Sequence, residues 1–303
     1  MRRKRIISNT VAYIVLIIIS IIWLFPFVGL VLQSFRGESG GMENYLVPKQ
    51  FTLNNYRALF TDGRKVNLIS TPFMRKLLSF AADVQVPQFV KWYLNTLVIA
   101  LFVAAITTIV VICVSYALSR MRFKGRKALM NTWLVLGMFP GFLTMICLYF
   151  LLKTMGLTEV GAVPGLILIS VASCGMGYYV CKGFFDTLPK SLDEAAIIDG
   201  ATRAQILWKM IIPLSKPIII YTALVAFMAP WCDYVFASYV AFGTEESYNV
   251  AVAMTRWVWT NDYQGYFTRF CAGGILVAIP VTILFMALQK YYVEGVTGGA
   301  VKG

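Results

Sequence analysis

Histidine is missing from this chain, and charge is scarce: 14% of the residues are charged, with 14 acidic side chains against 27 basic ones. Without histidine the chain lacks the commonest general base and the commonest metal ligand at neutral pH, which argues against enzymatic chemistry. A Gly-x-x-x-x-Gly-Lys-Ser/Thr phosphate loop is also missing, so the chain is not itself an ATPase. With 59% apolar residues and a mean hydropathy of +0.72, there is too little polar surface for a soluble domain of 303 residues. A bilayer is the solvent that fits. No low-complexity linker, second soluble domain or internal repeat is evident. The cysteines at 113, 147, 174, 181, 232 and 271 fall in or beside apolar runs without zinc-type spacing, and read as buried free thiols acting as small apolar residues.

What is present is a series of charge-free intervals, at 6–35, 92–119, 128–152, 160–181, 217–232 and 270–289. Most exceed the roughly 20 residues that cross a hydrocarbon core of about 30 Å. The fifth is interrupted by one acid, Asp233, and otherwise runs on to Thr244. The expected fold class is an all-α membrane protein with six transmembrane helices. It forms one membrane domain over 1–303, with a long loop at 36–91 and a polar hairpin at 190–213. The first interval has the basic start of a secretory signal but is too long for one, since signal cores run about 7 to 15 residues. It continues through Trp23, Pro26 and Leu32 and is read as a retained span.

Basic residues in short loops set the orientation. Arg2-Arg3-Lys4-Arg5 precedes the first span, and Arg120, Arg122, Lys124, Arg126 and Lys127 fill the loop after the second with no acid among them. Both belong on the cytoplasmic side, which also puts the 190–213 hairpin and both termini there. Segment 36–91 then lies outside although it carries more basic than acidic residues, a conflict that its length weakens. The net charge of +13 reads as topology and contact with anionic membrane lipid. No nucleic-acid-binding fold accompanies it, so nucleic acid is not expected as a partner.

The hairpin is the one polar, capped feature in a membrane-like chain. Ser191 with Glu194 three residues on predicts a capping box, and Gly200 predicts the end of that short helix. Thr202 and Gln205 repeat the spacing and open a second helix, which Pro213 should end or kink. Ala195 and Ala196 predict a face with little side-chain bulk, suited to docking in a groove on another protein.

This segment resembles the coupling loop of bacterial ABC importer permeases, whose pattern is Glu-Ala-Ala, three residues, Gly, nine residues, Ile, any residue, Leu-Pro. Glu194-Ala195-Ala196, Gly200 and Pro213 match it, while Met210 and Ile212 stand where the pattern has Ile and Leu. Phe51-Thr52-Leu53-Asn54-Asn55-Tyr56 resembles the FTLxNY stretch of the carbohydrate-uptake branch. The tail at 295–303 is similar to that of the second permease subunit of maltose and maltodextrin importers. The resemblance covers nearly the whole chain. It implies the ABC importer permease fold and a subunit of the bacterial cytoplasmic membrane that forms half of a translocation pathway. The implied partners are a second permease subunit, a cytoplasmic ATPase dimer that docks on the hairpin, an extracellular sugar-binding protein and the sugar. ATP and Mg would sit on the ATPase partners, with no cofactor on this chain. Asp199 would orient the turn at Gly200, Arg203 and Lys209 would pair with acids of the ATPase, and the C-terminal tail would lie near the ATPase dimer interface.

For the translocation path the candidates are Trp231, Asp233 and Tyr234. A charge at membrane depth faces a cavity or a partner. Counting about 1.5 Å per residue from Lys216 places Asp233 some 26 Å along, toward the outer half of the fifth span. A carboxylate beside aromatic faces suits a sugar; tying a neighbouring helix is the other role open to it. Tyr178, Tyr179 and Tyr239 are further pathway or packing residues. In the outer loop, Trp257, Trp259, Asp262 and Tyr263 suggest either docking surface for the binding protein or an interfacial aromatic belt. A stand-alone channel or ion-coupled carrier is the alternative, although the spans lack the chain of ionisable groups that proton coupling uses.

The topology makes a direct prediction. In a cysteine-free background, single cysteines at Ser191 and Thr202 should react with impermeant thiol reagents only from the cytoplasm, and one at Thr61 only from outside. Labelling of Thr61 from the cytoplasm would overturn the assigned orientation.

Overall fold

Long apolar runs with little internal proline form helices because, away from water, every backbone N–H and C=O must find a partner within the chain. The computed structural model describes residues 2–38, 45–61, 64–68, 84–260 and 263–297, with side chains from 9 to 290 of these except 175, 176, 260 and 263–265. The helices are α1 (Arg2–Ser34), α2 (Asn54–Thr61), α3 (Gln88–Arg120), α4 (Arg126–Gly137), α5 (Gly141–Thr154), α6 (Ala162–Ala172), α7 (Gly175–Thr187) and α8 (Ser191–Ile198). After them come α9 (Arg203–Leu214), α10 (Lys216–Cys232), α11 (Val235–Val240), α12 (Val250–Thr260) and α13 (Tyr263–Thr297). A two-stranded ladder, β1 (Lys65–Asn67) with β2 (Gln85–Pro87), is the only sheet among the described residues.

The fold is all-α, as expected, but half of the expected spans are broken. Asn9–Ser34, Gln88–Arg120 and Tyr266–Lys290 are long and apolar enough to cross a membrane unbroken. Three bent pairs bring the number to six if each counts as one span: α4 with α5 at 102°, Glu159–Ala172 with Gly177–Thr187 at 41°, and α9 with α10 at 84°. Proline explains the sharpest break, because Pro140 cannot donate to the ladder and biases Phe139 away from helix. The fifth run does not continue through Asp233 to Thr244. Helix α10 stops at Cys232, and α11 starts anew.

Contacts divide the chain into two compact units, Met1–Lys65 with Met254–Ile279, and Val66–Ala253 with Pro280–Gly303. In the first, the motif Phe51 to Tyr56 closes the end of α1. The backbones of Arg36 and Phe51 pair in an antiparallel bridge. The Asn55 amide donates to the carbonyls of Ser34 and Arg36, both at 2.9 Å, satisfying groups that the helix end leaves open. Thr268 on α13 donates to the Asn55 carbonyl at 3.1 Å. Tyr56 hydrogen-bonds Ser34 at 2.8 Å and lays its ring 5.3 Å from that of Phe35, while Thr52 accepts from the backbone N–H of Asn54. Arg36 is 1% exposed, donating to the Gln33 side chain at 2.6 Å and the Tyr45 carbonyl at 2.7 Å.

In the second unit α3 is the central element, packed along α10, α7 and α6. Its N-terminal end is tied to the segment before α12. Trp92 donates to the Glu245 carbonyl at 2.8 Å, Asn95 donates to those of Glu246 and Tyr248 at 2.9 Å, and Thr96 accepts from the Val250 N–H at 2.8 Å. Of the cysteines, Cys181 and Cys271 are buried, whereas Cys113, Cys147 and Cys232 are exposed on helix surfaces, so only the first two fit the expected buried thiol.

Asn55→Asp keeps the shape and the contact from Thr268 but removes both donors to the end of α1. It should cost about 1–3 kcal/mol, the penalty for buried acceptors left unpaired. The melting temperature of the detergent-purified protein measures it, and an unchanged value would remove this role from the motif.

Candidate functional site

The 190–213 segment forms two short helices meeting at a glycine, although not with the expected caps. Helix α8 starts at Ser191 itself, after Lys190, and no side chain caps its first turn. The expected Ser191–Glu194 capping box is absent because Ser191 already has helical backbone, and both side chains are exposed. Pro189 precedes this start and offers its carbonyl to the Leu192 N–H. The far end is as predicted. Gly200 has φ +80°, its N–H reaches the Ile197 carbonyl at 3.0 Å, and the Ala201 N–H reaches that of Ala196 at 2.9 Å. These two bonds form a Schellman motif. The turn is thus held by backbone alone, and the Asp199 carboxylate makes no hydrogen bond among the described residues.

Thr202 opens α9 with the predicted capping box: its hydroxyl accepts from Gln205 N–H at 3.3 Å, and the Gln205 side chain accepts from Thr202 N–H at 2.7 Å. Pro213 does not end the helix, which runs on to Leu214. A π-helical turn over Leu207–Ile211 shifts the ladder ahead of the proline, and the 84° bend comes at Ser215.

The hairpin is fastened from beneath by the last turns of α3. Arg120 pairs through Nε with Asp193 Oδ2 at 3.2 Å and donates through Nη2 to the carbonyls of Phe185 at 3.0 Å and Leu188 at 2.9 Å. Ser119 donates to Asp186 at 2.5 Å, and Asp186 also pairs with Lys182. The Tyr116 hydroxyl donates to the Arg203 carbonyl at 3.3 Å. Around these bonds Val111, Phe185, Ala196, Ile206 and Ile211 close a buried core. Ala196 therefore faces inward, and the expected Ala195–Ala196 docking face does not exist: at helical spacing, adjacent residues point about 100° apart, and only Ala195 is exposed.

What the hairpin presents instead is apolar bulk beside a recess. Ile198 is 86% exposed and Trp208 57%. The recess, about 360 Å³, is lined by Asp199, Gly200, Ala201, Gln205, Lys209 and neighbours. Glu194 and Arg203 are also exposed. Neither Asp193 nor Arg120 carried a sequence signal of this role; Arg120 reads there as one of several basic loop residues.

The path candidates separate. Trp231 is buried, edge-on to Tyr93 at 5.3 Å and beside Phe227, so its indole packs rather than faces open space. Asp233 accepts from the Phe236 N–H at 3.2 Å, capping the start of α11. Its carbonyl accepts from Asn249 at 2.6 Å, and Asn249 in turn caps α12 through the Val252 N–H at 2.9 Å. Tyr234 is exposed. Asp233 does line a cavity of about 150 Å³ with Ser170 and Asn249. Ser170 and Ala229 are shared with a second cavity of about 420 Å³ that adds Thr107, Ser173, Tyr221 and Thr222. The two lie side by side as a hydroxyl-bearing seam along α3, α6 and α10, which single serines and threonines in apolar runs do not advertise.

Tyr178 packs against Trp133 at 5.0 Å and Tyr179 donates to the Met130 carbonyl, so both fasten α7 to α4. Tyr239 is exposed. The segment expected as an outer loop is largely helical: Trp257 on α12 stacks on Tyr266 of α13 at 6.4 Å, and Trp259, also on α12, is 83% exposed. Asp262, the side chain of Tyr263 and the tail from 298 lie outside the described residues.

Residues 109–298 match the family model described as the binding-protein-dependent transport system inner membrane component. The chain is 33% identical to the galactooligosaccharides transport system permease protein GanQ of Bacillus subtilis, over 100% of this chain and 99% of that one. It is also 33% identical to the maltodextrin transport system permease protein MalD of Streptococcus pneumoniae, over 99% and 98%. A crystal structure of a bacterial ABC transporter involved in alginate import contains a chain of the same fold, with a TM-score of 0.74, 23% identity, and coverage of 96% of this chain and 98% of that one.

The Asp233 cap separates two substitutions. Asp233→Ala should lose about 0.5–2 kcal/mol of stability with the helix cap, whereas Asp233→Asn retains an accepting oxygen and should stay near the parent value. Melting temperatures of the purified variants read the difference, and equal losses would reject the capping role.

Proposed function

Because the chain belongs to the family of binding-protein-dependent transport system inner membrane components, we propose that it is the permease subunit of an ATP-driven carbohydrate importer, moved through its Ser191–Pro213 hairpin. It is a multi-pass protein of the cytoplasmic membrane and, like its relatives, a transport permease. The observation that carries the coupling role is the construction of the hairpin: a Schellman turn and a capping box stiffen it, α3 grips it from beneath, and Ile198, Trp208 and the recess face outward. A rigid, exposed, partly apolar surface is what a docking ATPase dimer needs in order to push without the motion being absorbed. Arg203, Lys209 and Glu194 would supply the polar rim. The ATP and Mg belong to that dimer.

The sugar path is proposed along the seam of the two cavities. Thr107, Ser170, Ser173 and Thr222 offer hydroxyls without charge, suited to passing a neutral polyol from site to site without trapping it. Asp233 stands at the end of this seam, where it reaches substrate only in addition to its cap. A second permease subunit supplies the other half. In support, α4 buries no residue in this chain and α5 only Leu152, yet the pair is broken between them, and a backbone break at membrane depth has to be covered by protein or line water. Trp259 and the Trp257–Tyr266 stack are proposed as contacts for an extracellular binding protein. A self-sufficient channel or carrier has no support among these relatives.

The hairpin reading is tested at Gly200. A Cβ there would meet nothing within 4 Å, so Gly200→Ala carries only the cost of a left-handed backbone, about 1–2 kcal/mol. Gly200→Pro cannot adopt φ +80° at all, and should abolish ATP-driven uptake while the chain remains in the membrane. Glu194→Ala, which removes no cap, should leave the melting temperature unchanged and lower uptake. Normal uptake by Gly200→Pro would remove the hairpin from the mechanism.

A further inference from the structure

We propose that Arg120 is the positioning residue that joins the hairpin to α3 as one mechanical body, so that displacement of α8 is delivered to the membrane-spanning helix instead of being lost between them. This rests on the coupling role of the hairpin. Arg120 is the last residue of α3, and its side chain is only 3% exposed; a basic residue serving topology alone would extend into water. Its guanidinium meets three successive parts of the chain: the Phe185 carbonyl near the end of α7, the Leu188 carbonyl in the link, and the Asp193 carboxylate in the first turn of α8.

Arginine is suited to this because its planar fork addresses several acceptors at once, which a lysine ammonium on a flexible stem does not. Nor does either charge have a substitute. Arg120 Nε and Nη1 and Asp193 Oδ1 have no hydrogen-bond partner among the described residues, so losing Arg120 leaves the Asp193 carboxylate buried without a counter-charge, and losing Asp193 leaves the guanidinium with its two carbonyls alone. The neighbouring rivets act elsewhere: Ser119 holds α7 through Asp186, and Tyr116 holds α9 through the Arg203 carbonyl. Of these polar contacts only that of Arg120 reaches α8, the helix that carries Glu194-Ala195-Ala196. Without it, α8 would stay folded by its Schellman end yet swing on the Leu188–Pro189 link.

The test uses the complete importer in liposomes, in a cysteine-free background, with spin labels at the exposed positions Lys190 and Phe102. Arg120→Gln, Asp193→Asn and the charge-retaining Arg120→Lys are compared with the parent. The parent should give one narrow label-to-label distance. Arg120→Gln and Asp193→Asn should broaden it and lower the sugar moved per ATP hydrolysed several-fold, with hydrolysis itself falling much less; Arg120→Lys should lie between. Distances as narrow as the parent's in all variants would overturn the proposal and leave the hairpin reading to the Gly200 test. Broadened distances with unchanged sugar per ATP would overturn it from the other side, by showing that transport does not depend on a stiff hairpin. Uptake and hydrolysis falling together, in step with the melting temperature, would reduce Arg120 to a stabilising residue. Should Arg120→Gln fail to assemble, the two conservative variants carry the same comparison.

Discussion

A charge taken out of water must be met by another charge or by well-placed dipoles, and at the end of α3 that requirement organises the surrounding chain. The Arg120 guanidinium draws in two carbonyls and one carboxylate. The carbonyls lie where α7 stops ahead of Pro189, and the carboxylate lies in the first turn of α8. Once α8 is placed, the Schellman turn at Gly200 and the Thr202 cap leave α9 little choice of direction, and Ala196, Ile206 and Ile211 come together over Phe185 and Tyr116. The polar contact sets the geometry, and the apolar core that forms around it supplies the bulk of the stabilisation, because burial scales with area whereas one ion pair scarcely outweighs its own desolvation.

The same demand for satisfied polar groups recurs at the other helix ends. A helix that stops at membrane depth leaves carbonyls and N–H groups that lipid does not meet. Short polar side chains do it here. Asn55 takes the carbonyls of Ser34, at the end of α1, and of Arg36 just beyond it; Asn249 takes those of Pro230, in α10, and of Asp233 just beyond it, and also caps α12; Asp233 caps α11. At these three ends, therefore, a side chain of the same chain meets backbone groups that the helix leaves open.

The outcome is a division of labour suited to transport. The hairpin is stiff, externally apolar at Ile198 and Trp208, and tied to α3. The two cavities carry hydroxyls, with the Asp233 carboxylate in the smaller one, and they lie beside α3 and α10. Helix α3 belongs to both, since Tyr116 and Arg120 hold the hairpin and Thr107 lines the seam on the same helix.

The amino-acid order by itself determined the membrane class, the six apolar intervals, the Gly200 turn and the Thr202 cap, because hydropathy, a residue free to take positive φ and a three-residue capping spacing are local properties. The likeness to sugar-importer permeases was equally legible from Glu194, Ala195, Ala196, Gly200 and Pro213. Other features were decided only by tertiary structure. Ser191 proved to be inside its helix, because the backbone is already helical at Lys190 and the Pro189 carbonyl accepts from the Leu192 N–H. Ala196 turned inward and Ala195 outward because α8 has a core on one side only. Asp233, the lone acid in an apolar run, stood out in sequence as either a sugar contact or a tie to a neighbouring helix, yet its carboxylate accepts from the N–H of Phe236, three residues on, in a helix that the hydropathy pattern runs straight through. Arg120 and Asp193 lie far apart along the chain and look like ordinary charged residues there; what unites them is that both were removed from water by the same packing, and only the folded chain shows which buried charges meet.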